Sequence, residues 1–115
     1  MDLNEYQEKT KKTATFGENS GAEIMFYLGL GIADEAGEVA GKLKKFIRDC
    51  GVVCIEDLSD EQKEALMKEV GDVLWYAAQL SLACGYTFER VAEMNIEKTY
   101  SRFDRGKIGG SGDNR

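Results

Sequence analysis

The sequence contains no histidine and no proline, and only three of its 115 residues are cysteine. Without histidine, the chain cannot form a Ser/His or Cys/His nucleophile pair or the Glu-x-x-His motif of di-iron helical bundles. Any catalysis must therefore depend on carboxylates, lysine or a metal. The absence of proline is typical of a mostly helical chain, because proline breaks helix interiors.

The cysteines favour a reducing compartment over a disulfide framework, because their number is odd. Cys50 and Cys54 have CxxxC spacing and Cys84 lies far along the chain. With no histidine available, a zinc site would lack a usual fourth ligand. We expect these cysteines to be small, partly buried side chains.

Long apolar runs and a basic charge balance are also missing. No run approaches the roughly 20 residues of a membrane span, and the first residues, MDLNEYQEKTKK, lack the apolar core of a signal peptide. The net charge is -6, from 21 acidic and 15 basic residues, which argues against nonspecific nucleic-acid binding. We expect a cytoplasmic protein without membrane or nucleic-acid partners that can gather divalent cations.

Hydrophobic periodicity predicts an all-α chain, since no alternating β-branched run indicates a sheet. Four helices are predicted, over residues 2–15, 22–48, 59–84 and 87–103. Ser59 and Gln62 form a capping box, Gly51 and Gly85 end the second and third helices, and Thr87 caps the fourth. We expect a single domain over residues 1–103, with a loop at 17–21, and a glycine-rich tail over 104–115.

The third predicted helix is apolar around more than half of its circumference. One side carries Leu66, Val70, Val73, Ala77, Leu80 and Cys84, and the opposite flank carries Met67, Leu74, Trp75, Ala78 and Leu82. Such a helix must be buried on two sides, which one small four-helix chain supplies poorly. We therefore predict a four-helix bundle that is completed by homo-oligomerisation.

One glutamate of the second helix interrupts its core-facing stripe, which consists of Leu28, Ile32, Val39, Leu43 and Phe46. Glu35 falls inside this stripe on a helical wheel. A carboxylate among apolar neighbours costs several kcal/mol unless something pairs with it. The position of Glu35 therefore calls for a compensating cation.

Two acidic pairs share a three-residue spacing, Glu35 with Glu38 and Glu69 with Asp72. Glu69 and Asp72 lie on a narrow polar strip with Tyr76, at the edge of the apolar stripe. If the two helices pack antiparallel, the four carboxylates converge and repel each other without cations. Mg²⁺ or Mn²⁺ is the most natural compensation, although glutamates at this spacing are also common on solvated helices.

The fourth helix brings cations to its inner face, which also carries Phe88, Ala92 and Thr99. Asn95, Lys98 and Arg102 lie on or beside this face. The two basic side chains either extend over the core and pair with the acids or meet the anionic groups of a metal-bound substrate. Carboxylates for a metal beside cations for oxyanions are typical of a phosphate-transfer site.

Four segments resemble the MazG-like, all-α nucleotide pyrophosphohydrolases. They are LGLGIADEAGEVAGKLKK, KEVGDVLWYAAQL, NIEKTYSR and RGKIGGSGDNR. The resemblance implies a Mg²⁺-dependent cleavage of a nucleoside triphosphate between the α and β phosphorus atoms, giving a monophosphate and pyrophosphate. It also implies a homodimer or a homotetramer built as a dimer of dimers. The spacer between Glu38 and Glu69 is long for the family because it contains CGVVCIEDLS.

The resemblance also implies roles for particular residues. It makes Glu35, Glu38, Glu69 and Asp72 the Mg²⁺ ligands, brings Lys98 and Arg102 to the triphosphate, and lets Asn95 hydrogen-bond the nucleotide or fix the helix geometry. We expect Glu38 to act as the general base and Lys98 and Arg102 to stabilise the leaving group. Further candidate substrate-binding residues are Tyr76, Lys42, Arg105 and Lys107.

Three questions remain open at this stage. The tail either is mobile and idle or folds over a nucleotide, and the aromatic side chains either belong to the core or stack on a base. Two other classes of protein also fit: a non-catalytic nucleotide- or metal-binding helical module, and a structural helical oligomer whose acids are solvated. The role in nucleotide-pool control or house-cleaning is an expectation from the resemblance alone.

Overall fold

The structure, a computed structural model, describes residues 1–16 and 22–112. This part of the chain is helical and contains no strand, which confirms the all-α prediction. The helices are α1 (Leu3–Thr10), α2 (Ala22–Cys50), α3 (Asp60–Ala83) and α4 (Phe88–Asp104), with 3₁₀ turns at Lys11–Thr13 and Ile55–Asp57. The loop predicted at 17–21 and the end of the tail, 113–115, lie outside the described residues.

Local signals at the helix ends behave as predicted. The Ser59 hydroxyl accepts from the Gln62 amide N–H at 3.2 Å, and the Gln62 side chain accepts from the Ser59 N–H at 2.9 Å, so α3 begins with a capping box. Gly51 and Gly85 follow α2 and α3 with φ of 66° and 77°, the left-handed region that glycine enters without strain. Thr87 caps α4 through the Arg90 N–H.

The first helix is shorter than the predicted range of 2–15, because α1 ends at Thr10 and a 3₁₀ turn follows. Tertiary hydrogen bonds hold this segment. The Gln79 amide donates to the Thr10 hydroxyl at 2.6 Å, and the Trp75 indole N–H donates to the Thr13 hydroxyl at 2.8 Å. The α-helix therefore gives way to a 3₁₀ turn where α3 contacts this segment. Periodicity along α1 cannot indicate such a contact.

Helices α2 and α3 pack antiparallel and form the main helix pair. Tyr27 and Gly31 face Tyr76, whereas Lys42, further along α2, pairs with Glu69, earlier on α3. Leu28 and Ala78 are completely buried. The antiparallel arrangement on which the predicted convergence of carboxylates depends is therefore present.

Helix α1 fastens the turn between α3 and α4. The buried Gln7 amide donates to the carbonyls of Ala78 and Tyr86, each at 3.1 Å, and its oxygen accepts from the Phe88 N–H at 3.1 Å. All three bonds lie in a buried or half-buried region, where losing one is costly. Gln7 thereby fixes the start of α4 relative to the α2–α3 pair.

Several residues predicted for the core are exposed in the single chain. Leu43 of the α2 stripe and Val70 of the α3 stripe expose 39% and 41% of their surface. Met67 and Leu74, on the other flank of α3, are exposed as well. The expectation of partly buried cysteines is wrong, because all three are exposed and free; each lies at a helix end or in the α2–α3 connector.

Gly31 marks the closest approach of the two central helices. A Cβ built on Gly31 would lie 2.1 Å from a ring carbon of Tyr76, whereas one on Gly29 meets nothing within 4 Å. We expect Gly31→Ala to lower the free energy of unfolding by about 1–3 kcal/mol, as overpacking does. Gly29→Ala should raise it by up to about 1 kcal/mol, because alanine favours the helix. Chemical denaturation measures both, and equal effects would contradict the observed packing.

Candidate metal centre

Three carboxylates converge where α2 crosses α3. Oxygen atoms of Glu35, Glu69 and Asp72 all lie within 4.8 Å of one another. Glu35 comes from α2, and the i, i+3 spacing of the other two puts them on one face of α3. Glu35 and Glu69 are half-buried and Asp72 is exposed, so the cluster opens toward solvent on one side.

The electrostatics of this cluster disfavour three bare negative charges. Burial raises the pKa of Glu35 above its usual value, and the charges of Asp72, Glu38, Asp34 and Glu69 raise it further, in that order. Hard oxygen donors at this separation suit Mg²⁺ or Mn²⁺, which bind carboxylates and keep positions for water and phosphate. The donor set therefore fits the cation that the sequence predicts.

A lysine already lies against one member of the cluster. The Nζ of Lys42 is 2.9 Å from an Oε of Glu69, and both side chains are partly shielded from solvent. This ion pair joins α2 to α3. By contrast, Arg90 forms its pairs with Glu93 and Glu97 inside α4.

Glu38 lies outside the group of three but borders the groove beside it. This groove has a volume of about 390 Å³. Its lining residues come from α2 and α3 and are Ala33, Asp34, Gly37, Glu38, Gly41, Lys42, Lys44, Lys45 and Glu69. It therefore brings three carboxylates and three ammonium groups to one polar surface.

A second groove on the other side of Asp34 is aromatic. Tyr27, Gly31, Asp34 and Tyr76 are among the residues that line it, and its volume is about 570 Å³. The Tyr76 hydroxyl donates to that of Tyr27 at 3.5 Å. This hydrogen bond and burial, with nearby negative charge, raise the pKa of Tyr76 to about 12. Tyr76 therefore keeps its proton at neutral pH.

Aromatic contacts continue from this groove toward α1. The rings of Trp75 and Tyr76 have centroids 4.9 Å apart, and Phe16 contacts both Trp75 and Tyr27. The aromatic side chains are thus partly core and partly groove wall, and stacking on a base stays a prediction.

The predicted residues of α4 lie in different surroundings. Asn95 and Lys98 are exposed and line a cavity of about 320 Å³ with Tyr86, Val91 and Met94. Arg102 is buried, and its Nη2 donates to the Gly112 carbonyl at 3.3 Å. The described part of the tail therefore turns back onto α4. Phe88, Ala92 and Thr99 of the same helix are buried or half-buried, as predicted.

The two basic residues of the tail are exposed. Arg105 donates from its side chain to the Ser101 carbonyl at 3.1 Å. The backbone N–H of Lys107 donates to the Arg102 carbonyl at 2.7 Å, after Gly106 has reversed the chain with a φ of 64°. The side chain of Lys107 is therefore presented at the surface, close to the end of α4.

Some residues of the site escaped the sequence analysis. Asp34, Lys44 and Lys45 line the polar groove, and Gly31 supports Tyr76. Asp34 directly precedes Glu35. Asp34 itself gave no separate signal, because the helix already carries many charged residues. Gly31 did carry one, because a glycine inside a helix costs stability and often marks a close approach.

Comparisons with known proteins agree with this geometry. The family model described as the MazG nucleotide pyrophosphohydrolase domain matches residues 27–105, a range that includes all three converging carboxylates. The gene 37 protein of Mycobacterium phage L5 is 39% identical over 118 aligned residues, covering the full length of both chains. No solved structure matches the chain.

Two further findings bear on the class of protein. None of the helices in the described part of the chain is both long and apolar enough to span a membrane. The three carboxylates occupy positions within the matched domain, on the helices that carry the ExxE and ExxD pairs. The chain therefore belongs to the family of MazG nucleotide pyrophosphohydrolase domains.

Proposed function

We propose that this protein is a Mg²⁺-dependent pyrophosphohydrolase of ribo- or deoxyribonucleoside triphosphates. It cleaves between the α and β phosphorus atoms and releases a nucleoside monophosphate and pyrophosphate. The observation that carries this proposal is the convergence of Glu35, Glu69 and Asp72 within 4.8 Å across two antiparallel helices. Membership of the MazG family supports the reaction class, and control of a cytoplasmic nucleotide pool is the role we propose.

In this proposal Glu35, Glu69 and Asp72 hold the cation, and Glu38 contributes from the edge of the groove. When bound, Mg²⁺ (or Mn²⁺) neutralises phosphate charge and makes a bound water more acidic. Glu38 would accept a proton from a water that attacks the α phosphorus in line. The bond from the α phosphorus to the bridging oxygen breaks, and pyrophosphate leaves. Glu38 is exposed beside the cluster of Glu35, Glu69 and Asp72, and this position supports its role as the base.

We propose that the basic side chains of α4 and the tail stabilise the negative charge of the leaving group. Lys98 would stabilise that charge, as donors do at a developing anion, and Asn95 would hydrogen-bond the nucleotide. Arg102, which is buried and donates to the Gly112 carbonyl, would join Lys98 once the tail moves off α4. Arg105 and Lys107 would add further positive charge. Because α4 contributes no described residue to the lining of the polar groove, we propose that these groups act on a nucleotide held between two copies of the chain.

An apolar surface supports this assembly. Leu30 of α2 exposes 68% of its surface, and Met67, Val70 and Leu74 of α3 are also exposed. Met67, Val70 and Leu74 follow at i, i+3 and i+7 and so share one face of α3, and monomeric proteins seldom expose large contiguous apolar patches. We propose that they form a shared core in a homodimer or homotetramer, which can be tested by light scattering or analytical ultracentrifugation.

The aromatic groove is the candidate site for the base. Tyr76 and Tyr27 present ring surface next to Asp34 and Glu35, and bases stack on aromatic rings with little dependence on their identity. We propose that Tyr76 contacts the base or sugar while the phosphates extend toward the triad. Tyr76→Leu should then raise KM more than it lowers kcat.

Product analysis tests the proposal. Purified protein is incubated with a panel of ribo- and deoxyribonucleoside triphosphates, with Mg²⁺ or with a chelator, and the products are separated. We expect monophosphate and pyrophosphate only with the cation. Diphosphate and inorganic phosphate would contradict the assigned bond. Nucleotide binding that stabilises the protein without any product would favour the non-catalytic binding module instead.

A further inference from the structure

The ion pair between Lys42 and Glu69 brings an ammonium group to a carboxylate that belongs to the proposed metal centre. The contact is 2.9 Å, and the side chains expose only 32% and 14% of their surface. Partial burial makes such a pair stronger than one in open solvent, because water screens it less. Lys42 therefore stabilises one of the three crowded carboxylates.

Lys42 also lines the polar groove, where it can meet other anions. It follows Glu38 by four residues on α2, so both side chains lie on the same face of the helix, and both line the polar groove. A lysine ammonium is a point charge on a flexible four-carbon stem, which lets it change partners without a movement of the backbone. Anions that enter the groove come within reach of that stem.

A divalent cation bound to Glu69 would compete with Lys42 for the negative charge of the same carboxylate. The cation carries twice the charge and binds at a shorter distance, about 2 Å, so it displaces the ammonium as the main partner of Glu69. Once a cation neutralises the carboxylates around it, the ammonium loses much of their attraction and pairs more favourably with another anion. The phosphates of a substrate in the groove provide it.

We infer that Lys42 is a place-holding cation: it pairs with Glu69 in the metal-free protein and transfers to a substrate phosphate when the divalent cation binds. This inference rests on the proposed function for the identity of the anion. It makes Lys42 a substrate-binding residue whose availability depends on the metal. Metal binding and nucleotide binding are thereby coupled through one side chain.

The test uses two titrations of Lys42→Met by calorimetry. Without nucleotide, we expect the dissociation constant for Mg²⁺ to fall by about fivefold. Lys42 no longer competes with the cation for Glu69, and an ion pair of this kind contributes up to about 1 kcal/mol. With saturating Mg²⁺, we expect the dissociation constant for an α,β-methylene triphosphate analogue to rise by about tenfold, as for a lost hydrogen bond to a charged group. Lys42→Arg should keep the analogue affinity within a few-fold of the wild type.

Lys45→Met is the matched control, because Lys45 lines the same groove but forms no described pair with Glu69. It measures the general effect of removing one positive charge. An equal gain in Mg²⁺ affinity in both variants would overturn the inference, and so would an unchanged analogue affinity in Lys42→Met. Wild-type protein that gives the expected titrations but releases no pyrophosphate would overturn the proposed function and leave this coupling intact.

Discussion

Replacing Asp72 by asparagine is expected to lower kcat/KM for the preferred nucleoside triphosphate by at least about 100-fold. Changes to groups that merely support a metal ligand cost 10–100-fold in activity or metal affinity, and Asp72 is a proposed ligand itself. Asparagine keeps the shape of the side chain but removes the negative charge. The loss should therefore appear together with a weaker affinity for Mg²⁺, measured by calorimetry.

The same substitution should not unfold the protein. Asp72 is exposed and contributes to the repulsion that raises the pKa of Glu35, so its neutralisation relieves the metal-free fold. Glu64→Gln is the matched control, because Glu64 lies on the same helix and pairs with Lys68 at the surface. Full activity in Asp72→Asn would exclude this carboxylate from the metal centre, and an equal loss in Glu64→Gln would show that the effect is not local.

Mg²⁺ is expected to raise the melting temperature of the wild-type protein on the order of 10 °C at neutral pH. A ligand at 100 times its dissociation constant adds about 2.7 kcal/mol to the free energy of unfolding, and each kcal/mol moves the melting temperature of a domain of this size by several degrees. Glu35→Gln should abolish most of this shift. It should also stabilise the metal-free protein at pH 7, because the repelled carboxylate is gone.

The direction of the pH dependence follows from Glu35. Its pKa is raised in the folded state above the ordinary 4.5, so between that value and the raised one the folded protein holds more protons than the unfolded protein. The contribution of Glu35 to the metal-free stability therefore falls as pH rises through this window. Saturating Mg²⁺ favours the ionised form instead and lowers the folded-state pKa of Glu35, so its contribution should rise with pH only below the ordinary value of 4.5.

Thermal melts from below pH 4.5 to neutral pH, with and without Mg²⁺, measure both slopes. Glu56→Gln is the control, since Glu56 lies in the exposed α2–α3 connector, outside the carboxylate cluster. The difference between Glu35→Gln and the wild type isolates the contribution of this group. If Mg²⁺ stabilises both proteins equally, the cation binds elsewhere.

Local sequence patterns predicted the helices well where the cause of structure is itself local. Ser59 and Gln62 form their capping box from residues three apart, and Gly51 and Gly85 end helices through their own backbone freedom. The end of α1 was predicted too late, because the contacts of Thr10 and Thr13 with α3 come from residues more than 60 positions away. Periodicity within one helix carries no information about such contacts.

The candidate site likewise contains some residues that local sequence predicts and some contacts that it does not. Glu35 can be predicted as a site residue from the sequence alone, since it interrupts an apolar stripe. Antiparallel packing then brings it to Glu69 and Asp72. The pairing of Lys42 with Glu69 depends on side-chain reach across two helices. Likewise, the burial of Arg102 against Gly112 depends on how the tail turns. Neither contact leaves a spacing signature in the sequence.

The most direct test of the metal centre is anomalous scattering from crystals that contain Mn²⁺ as a substitute for Mg²⁺. The account predicts an anomalous peak between the carboxylates of Glu35, Glu69 and Asp72, at about 2 Å from at least one oxygen of each. We also expect Lys42 Nζ to be further from Glu69 in these crystals than the 2.9 Å described above. A well-ordered protein with no peak at these three residues, or with Mn²⁺ bound only elsewhere, would contradict the account.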